Sequence, residues 1–103
     1  MPTRIDQEDV ADSIAAALQF ISHHHPPDFV RALRRAHEAE THAPAKAAIA
    51  QILINSRLAA EGRRPLCQDT GVAQVFYRIG AGVQFVRRDG KPVWSLQCVA
   101  DAA

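Results

Sequence analysis

Gly62 separates two parts of the sequence that differ in hydrophobic period, and this change constrains the fold more than any other feature. Before Gly62, apolar residues recur every three or four positions, which predicts amphipathic helices. After it, the stretch VAQVFYRIG alternates apolar and polar residues, which predicts a β-strand. The sequence therefore predicts an α+β fold, in which three N-terminal helices precede a small antiparallel or mixed sheet of two to three strands.

Local signals define the three helices. The first has an apolar stripe that includes Val10 and Leu18, and HHHPP ends it because proline lacks a backbone donor. Asp28 is the expected N-cap of the second helix, FVRALRRAHEAE. The third helix is predicted at about residues 45–61, with Thr41 as its cap and Gly62 as a left-handed terminator.

The C-terminal part is predicted to form a hairpin. VQFVRR and KPVWSLQCV flank Asp89-Gly90, which is a strong two-residue turn signal. Cys98 then lies near the end of the last predicted strand, where a packing role is expected because cysteine is often buried.

Length and charge limit the class of protein. The 103 residues predict a single domain, 1–103, and the formal net charge of +1 favours neither nucleic acid nor an anionic membrane as a partner. The N-terminus has no apolar core of a signal peptide, so a cytoplasmic location is expected. In a reducing compartment, the two cysteines would be free, metal-bound or catalytic.

The loop sequence RPLCQDTG carries the most chemistry. Cys67 is followed directly by Gln68 and Asp69, and Thr70 and Gly71 continue the loop between the third helix and the predicted strand. A turn uses Asp, Thr and Gly, but it does not need a thiol. The residues alone leave a structural cysteine and a metal-ligand cysteine both open. Three consecutive histidines, 23–25, are a poorer metal site because neighbouring side chains diverge.

A longer stretch resembles a known family. AKAAIAQILINSRLAAEGRRPLCQDTGVAQVF is similar to the N-terminal region of the iron–sulfur (class I) fumarate hydratases and of the related L-tartrate dehydratase alpha subunits. ALQFISHHHPPDFVRAL also resembles their first helical segment. The resemblance covers about residues 14–85, and it joins the helix, the loop and the predicted strand.

The resemblance implies a hydro-lyase, which adds water to fumarate as in the tricarboxylic acid cycle or dehydrates a related 2-hydroxy diacid such as tartrate. Cys67 aligns with one of three cysteines that hold a [4Fe–4S] cluster, and the other two lie outside this chain. Gln68 and Asp69 align with substrate-binding residues. The general base comes from regions that this chain lacks, so no catalytic residue is assigned.

The tail VRRDGKPVWSLQCVADAA departs from the family pattern, and Cys98 is too early to be the second ligand. We therefore expect the isolated chain to be inactive until a remaining enzyme domain or subunit completes the site. A small dicarboxylate substrate and a homo-oligomer are also expected. The alternative is a non-catalytic interaction module that retains the family fold.

Overall fold

The structure is a computed structural model that describes residues 1–69 and 71–103. Its contacts divide the chain into two compact units, which are described separately: Gln19–Thr70, and Met1–Leu18 with Gly71–Ala103. That residues 1–103 form a single domain stays a prediction. In chain order, the elements are β1 (Thr3–Asp6), α1 (Gln7–His23), α2 (Pro27–Ala39), α3 (Ala43–Gly62), β2 (Val83–Val86) and α4 (Leu96–Asp101).

The unit Gln19–Thr70 is helical. α2 packs against α3, and the half-buried residues recur at helical spacing, with Val30 and Leu33 on α2 and Ile49 and Leu53 on α3. Ser56 and Ala59 continue the same side of α3 and are buried. Because these apolar faces follow the period of the helix, the prediction of three N-terminal helices is confirmed.

The helix ends differ from the predicted caps. α2 begins at Pro27, one residue before Asp28, and Pro26 is its N-cap. Pro27 suits the first turn of a helix because a backbone N–H at that position has no partner within the helix. His42 rather than Thr41 is the N-cap of α3, and Glu40 accepts hydrogen bonds from the backbone N–H groups of both residues. Gly62 remains helical, and Arg63 takes the left-handed conformation at φ 50°. These three predictions were wrong.

The sheet lies in the other unit and has a different topology from the prediction. β1 pairs with β2 in parallel, with Thr3 opposite Val83 and Asp6 opposite Val86. One strand precedes the helices and the other follows them, so the predicted antiparallel hairpin was wrong and the predicted order of helices before strands is matched only in part. A parallel pair needs a long connection, and in the sequence the segment from α1 to α3 separates the two strands.

Asp89-Gly90 still forms a turn. Gly90 has φ +69°, and its N–H donates to the Arg87 carbonyl at 3.1 Å. The chain after it does not return along β2. Instead, the Arg87 guanidinium donates to the Pro92 carbonyl at 3.2 Å and lies over the Trp94 ring at 4.4 Å. The turn signal was thus correct, and the strand pairing inferred from it was not.

The predicted strand at residues 72–79 does not form within the described part of the chain. Val72 and Phe76 remain 87% and 89% exposed, and only Val75 and Tyr77 of the strand-like pattern are half-buried. The Tyr77 hydroxyl donates to the Leu96 carbonyl at 3.1 Å. A strand requires a hydrogen-bonding partner, and alternation in the sequence does not supply one.

The last predicted strand does not form, and the second half of its sequence belongs to α4. Ser95 caps α4, since its hydroxyl accepts from the Cys98 N–H at 3.2 Å. Val99 on α4 is 1% exposed and is part of the core of this unit. Cys98 is exposed instead of buried, so the expected packing role was also wrong.

Gln7 is the central polar residue of this unit, with an exposed fraction of 1%. Its amide nitrogen donates to the Trp94 carbonyl at 2.9 Å, and its amide oxygen accepts from the Trp94 N–H at 2.7 Å. The Gln7 side chain therefore satisfies both backbone groups of Trp94, as a neighbouring strand would.

Among the described residues, no helix has the length and apolar character needed to cross a membrane.

Candidate functional site

The candidate site is the loop of residues 64–69, which we call the Cys67 loop. It begins where α3 ends at Gly62 and where Arg63 turns the chain through the left-handed conformation. The Ala59 carbonyl accepts from the N–H of Arg63 and also from that of Arg64, the latter at 3.0 Å. Pro65 follows and restricts the backbone further. The start of the loop is therefore fixed to α3.

Leu66 anchors the middle of the Cys67 loop on two sides. Its N–H donates to the Ser22 carbonyl in the last turn of α1 at 2.9 Å. Its carbonyl accepts from the side-chain amide of Asn55 on α3 at 2.8 Å. Leu66 is also half-buried, while the residues on either side of it are exposed. The backbone directly before Cys67 thus has both its donor and its acceptor engaged.

A second contact joins the same two parts of the helical unit. The ring nitrogen Nδ1 of His25 lies 3.1 Å from the buried hydroxyl of Ser56, and the His25 ring lies 4.9 Å from that of Phe29. Ser56 is adjacent to Asn55 on α3, and His25 follows the end of α1. This contact holds the segment after α1 against the helix that carries Asn55.

The predicted site residues lie directly after this anchor. Cys67 is a free, exposed cysteine, and Gln68 and Asp69 are exposed as well. The Cys67 sulfur lies 3.9 Å from the Asp69 carbonyl oxygen, which is a weak contact. Gly71 continues the chain at φ +61°, and Thr70 lies outside the described residues. The three predicted residues are therefore accessible on a loop whose base is held in place.

The loop fits one ligand of a metal centre. An exposed thiol that has formed no disulfide is available to a metal, and the anchored Leu66 limits the movement of the residue that carries it. Within residues 1–69 and 71–103, no three His, Cys, Asp or Glu side chains form a group that could hold a metal ion. The Cys67 loop therefore offers a metal centre one accessible thiol, that of Cys67.

Asn55 and Ser22 were not identified from the sequence. Asn55 is a polar residue within a helix, where most such side chains face solvent, and Ser22 takes part through its backbone carbonyl. Neither role leaves a local sequence signal, because both hydrogen bonds to Leu66 form only when the loop packs back against α1 and α3. Only the fold of the helical unit shows them.

Comparison with known proteins gives the family. The fumarate hydratase (fumerase) family matches residues 11–99, which is most of the chain and includes the Cys67 loop. The chain therefore belongs to the fumarate hydratase family.

A curated relative agrees with this family assignment. The "Putative L(+)-tartrate dehydratase subunit alpha" of Methanocaldococcus jannaschii is 40% identical over 58 residues, which are 56% of this chain. The aligned part spans 20% of that relative's own length, so the chain corresponds to a small part of it. No solved structure matches the chain significantly.

Proposed function

We propose that this chain contributes a cluster-binding loop to an iron–sulfur-dependent hydro-lyase. The reaction would be the reversible hydration of fumarate to malate, or the dehydration of a related 2-hydroxy diacid such as tartrate. Membership of the fumarate hydratase family supports a hydro-lyase, and the similarity to a protein described as a tartrate dehydratase subunit supports a diacid substrate.

The observation that carries the proposal is the geometry of the Cys67 loop. The thiol is exposed, and the residue before it is held by hydrogen bonds of 2.9 Å and 2.8 Å. A cluster ligand needs these two properties together, since the sulfur must be accessible and the backbone of the cysteine must be held in a fixed position. Cys67 would be one of three cysteine ligands of a [4Fe–4S] cluster. When bound, such a cluster supplies a Lewis acid for the hydroxyl and carboxylate of the substrate.

Gln68 and Asp69 are the proposed substrate-binding residues. Both are exposed next to Cys67, so a diacid bound at the cysteine would be within reach of their side chains. The amide of Gln68 can donate a hydrogen bond to a carboxylate oxygen. The carboxylate of Asp69 can accept one from a hydroxyl or from water. Together they would orient a 2-hydroxy diacid through both kinds of group.

The proposal requires a partner. A single thiol cannot hold four irons, so a second domain or subunit has to supply the other two cysteines, the general base and the groups that bind the carboxylates. The relative is described as an alpha subunit, which supports a multi-subunit assembly, and a homo-oligomer is part of the same proposal. The 103-residue chain alone would then be inactive.

The test uses the two cysteines of this chain as a matched pair. Cys67 and Cys98 are both free and exposed, so Cys67→Ser and Cys98→Ser make the same chemical change at two sites. Each variant is assembled with the polypeptide that completes the site and is reconstituted anaerobically with iron and sulfide. We expect Cys67→Ser to lose the visible cluster absorbance and the fumarate hydration activity, and Cys98→Ser to keep both. An unchanged cluster spectrum in Cys67→Ser would reject the proposal.

The second candidate is a non-catalytic interaction module, and the exposure of Val72 and Phe76 favours it. These side chains are 87% and 89% exposed in a segment with a strand-like sequence. Unpaired segments of this kind invite pairing with another chain. If the wild-type assembly binds no iron after reconstitution but still forms a complex that Phe76→Ser weakens, the interaction module is the better description.

A further inference from the structure

We infer that Asn55 is a positioning residue for Cys67, because it fixes the peptide unit that joins Leu66 to Cys67. The inference rests on the proposed function of Cys67, and it adds a residue outside the loop to the site. Asn55 lies on α3, eleven residues before the carbonyl that it binds.

The planarity of the peptide bond links the Asn55 contact to Cys67. The Leu66 carbonyl and the Cys67 N–H belong to one planar unit, and no peptide bond in the described chain is cis. In a trans peptide, these two groups point in opposite directions. The hydrogen bond of 2.8 Å from Asn55 to the Leu66 oxygen therefore also sets the direction of the Cys67 N–H, which faces away from Asn55.

The preceding peptide is fixed independently. The Leu66 N–H donates to the Ser22 carbonyl at 2.9 Å, so the peptide units on both sides of the Leu66 Cα are held. The Ser22 contact involves backbone atoms alone, so a side-chain substitution removes neither its donor nor its acceptor, although the contact opens more often when the loop loosens. Asn55 provides the contact that a substitution can remove, and it acts on the unit nearest the thiol.

This orientation has a consequence for charge at Cys67. The Cys67 N–H donates to no acceptor among the described residues, and it belongs to the same residue as the exposed thiol. Backbone N–H groups near cysteine sulfur stabilise its negative charge and tune iron–sulfur clusters. Asn55 thus directs a backbone donor, which has no acceptor among the described residues, away from its own side chain and at the residue that carries the exposed thiol.

The test compares two isosteric changes on α3. Asn55→Asp removes the amide donor and places a negative oxygen against the Leu66 carbonyl. Gln51→Glu makes the same amide-to-carboxylate change one turn earlier, at an exposed residue that makes no hydrogen bond with a side-chain atom among the described residues. Asn55→Gln retains an amide donor and serves as the rescue variant.

Two measurements are made on the 103-residue chain. The first is the hydrogen exchange rate of the Leu66 amide, which we expect to rise about three- to tenfold in Asn55→Asp, as the loss of one hydrogen bond implies. The second is the electron paramagnetic resonance line width of a nitroxide on Cys67 in a Cys98→Ser background, which we expect to narrow. Gln51→Glu should leave both unchanged, and Asn55→Gln should restore at least part of the wild-type line width. A merely destabilised chain would not alter the line width under native conditions.

The third measurement is the iron content of the reconstituted assembly, which should fall in Asn55→Asp. If Asn55→Asp leaves the line width and the iron content unchanged while Cys67→Ser abolishes iron binding, the positioning role is wrong and the proposed function stands. If Cys67→Ser itself retains the iron, the proposed function fails, and the positioning role fails with it.

Discussion

The two units differ in how far along the chain their contacts reach. In Gln19–Thr70, α2 and α3 are neighbours in sequence, the Asn55 contact to Leu66 spans eleven residues, and the Ser22 contact to Leu66 spans 44. In the other unit, β1 pairs with β2, and the Gln7 contact to Trp94 spans 87 residues. The contacts of the first unit therefore join residues that are closer in sequence than those of the second unit. The second unit forms only when the N-terminal and C-terminal segments of the chain pair.

This difference explains why a glutamine is buried in the second unit. The backbone groups of Trp94 lie outside any strand, yet they are satisfied by the Gln7 side chain at 2.7 Å and 2.9 Å. A buried side chain thus replaces a strand that the local sequence does not provide. The stability of this unit should then be concentrated in a few long-range contacts.

Gln7→Ala should have the largest effect. It removes two hydrogen bonds and leaves both backbone groups of Trp94 without a protein partner, which we expect to lower the free energy of unfolding by about 3 kcal/mol. Urea unfolding followed by circular dichroism measures the change. Gln19→Ala, at an exposed position of the same helix, is the control and should change the free energy by less than about 0.5 kcal/mol. Equal effects at Gln7 and Gln19 would contradict the role of this contact.

Gly90→Ala tests the turn that the sequence correctly indicated. Gly90 has φ +69°, a conformation that strains an alanine, so we expect a loss of about 1.5 kcal/mol in the free energy of unfolding. Gly80→Ala is the matched control, since a Cβ at Gly80 meets open space and its φ lies outside the left-handed range. Gly80→Ala should be neutral or slightly stabilising. If both variants behave alike in urea unfolding, the turn conformation does not limit stability.

Local signals predicted the helices because their hydrogen bonds are local. The third helix was expected at about residues 45–61 and forms at Ala43–Gly62, although His42 takes the place of the predicted cap Thr41. Asp28 lies inside the second helix instead of at its N-cap, but its carboxylate still accepts from the Phe29 N–H at 2.9 Å. The strand partners could not be predicted, because pairing of Thr3 with Val83 leaves no trace in either short segment. Proline and glycine signals marked the ends of elements better than they marked the pairing of strands.

The candidate site could be predicted in part. Cys67, Gln68 and Asp69 stand out in the sequence, and their roles in binding a cluster and a substrate stay predictions. What the fold adds is their support, since Asn55 and the Ser22 carbonyl meet at Leu66 only after the helices pack. Such tertiary contacts do not follow from hydrophobic period or from turn residues.

Ser56→Ala probes the helical unit with a smaller expected effect. It removes the buried hydroxyl that lies 3.1 Å from His25 Nδ1, and we expect a loss of about 1 kcal/mol, the value of one hydrogen bond. Gln51→Ala, at an exposed position on the same helix, is the control for helix propensity. Urea unfolding compares the two. A loss at Ser56 as large as that at Gln7 would show that the helical unit depends equally on single contacts, contrary to the comparison above.

Arg88→Gln should have the smallest effect of the four, and it compares long-range with local ion pairs. The Arg88 guanidinium contacts Asp9 and lies 3.4 Å from Asp6, while Arg57 pairs with Glu61 one turn away on α3 at 4.0 Å. All of these groups are at least one-third exposed, so water and salt screen the pairs.

The negative charge of Asp9, followed by hydrogen bonds to Asp6 and Asp9, raises the pKa of Arg88 above its ordinary value. A raised pKa means that the stabilisation is complete below the unfolded-state pKa and is lost only as the pH rises through the folded-state pKa. Arginine titrates far above neutrality, so the effect of Arg88→Gln should be constant between about pH 6 and pH 9.

The effect of Arg88→Gln on stability should largely disappear at about 1 M NaCl, where the Debye length is about 3 Å. Urea midpoints at low and high salt, with Arg57→Gln as the local control, measure this. Because the Arg88 contacts bridge residues 79 to 82 positions apart, its substitution should lower the midpoint more than Arg57→Gln at low salt. A larger effect for Arg57→Gln would reverse the expected order of the two pairs.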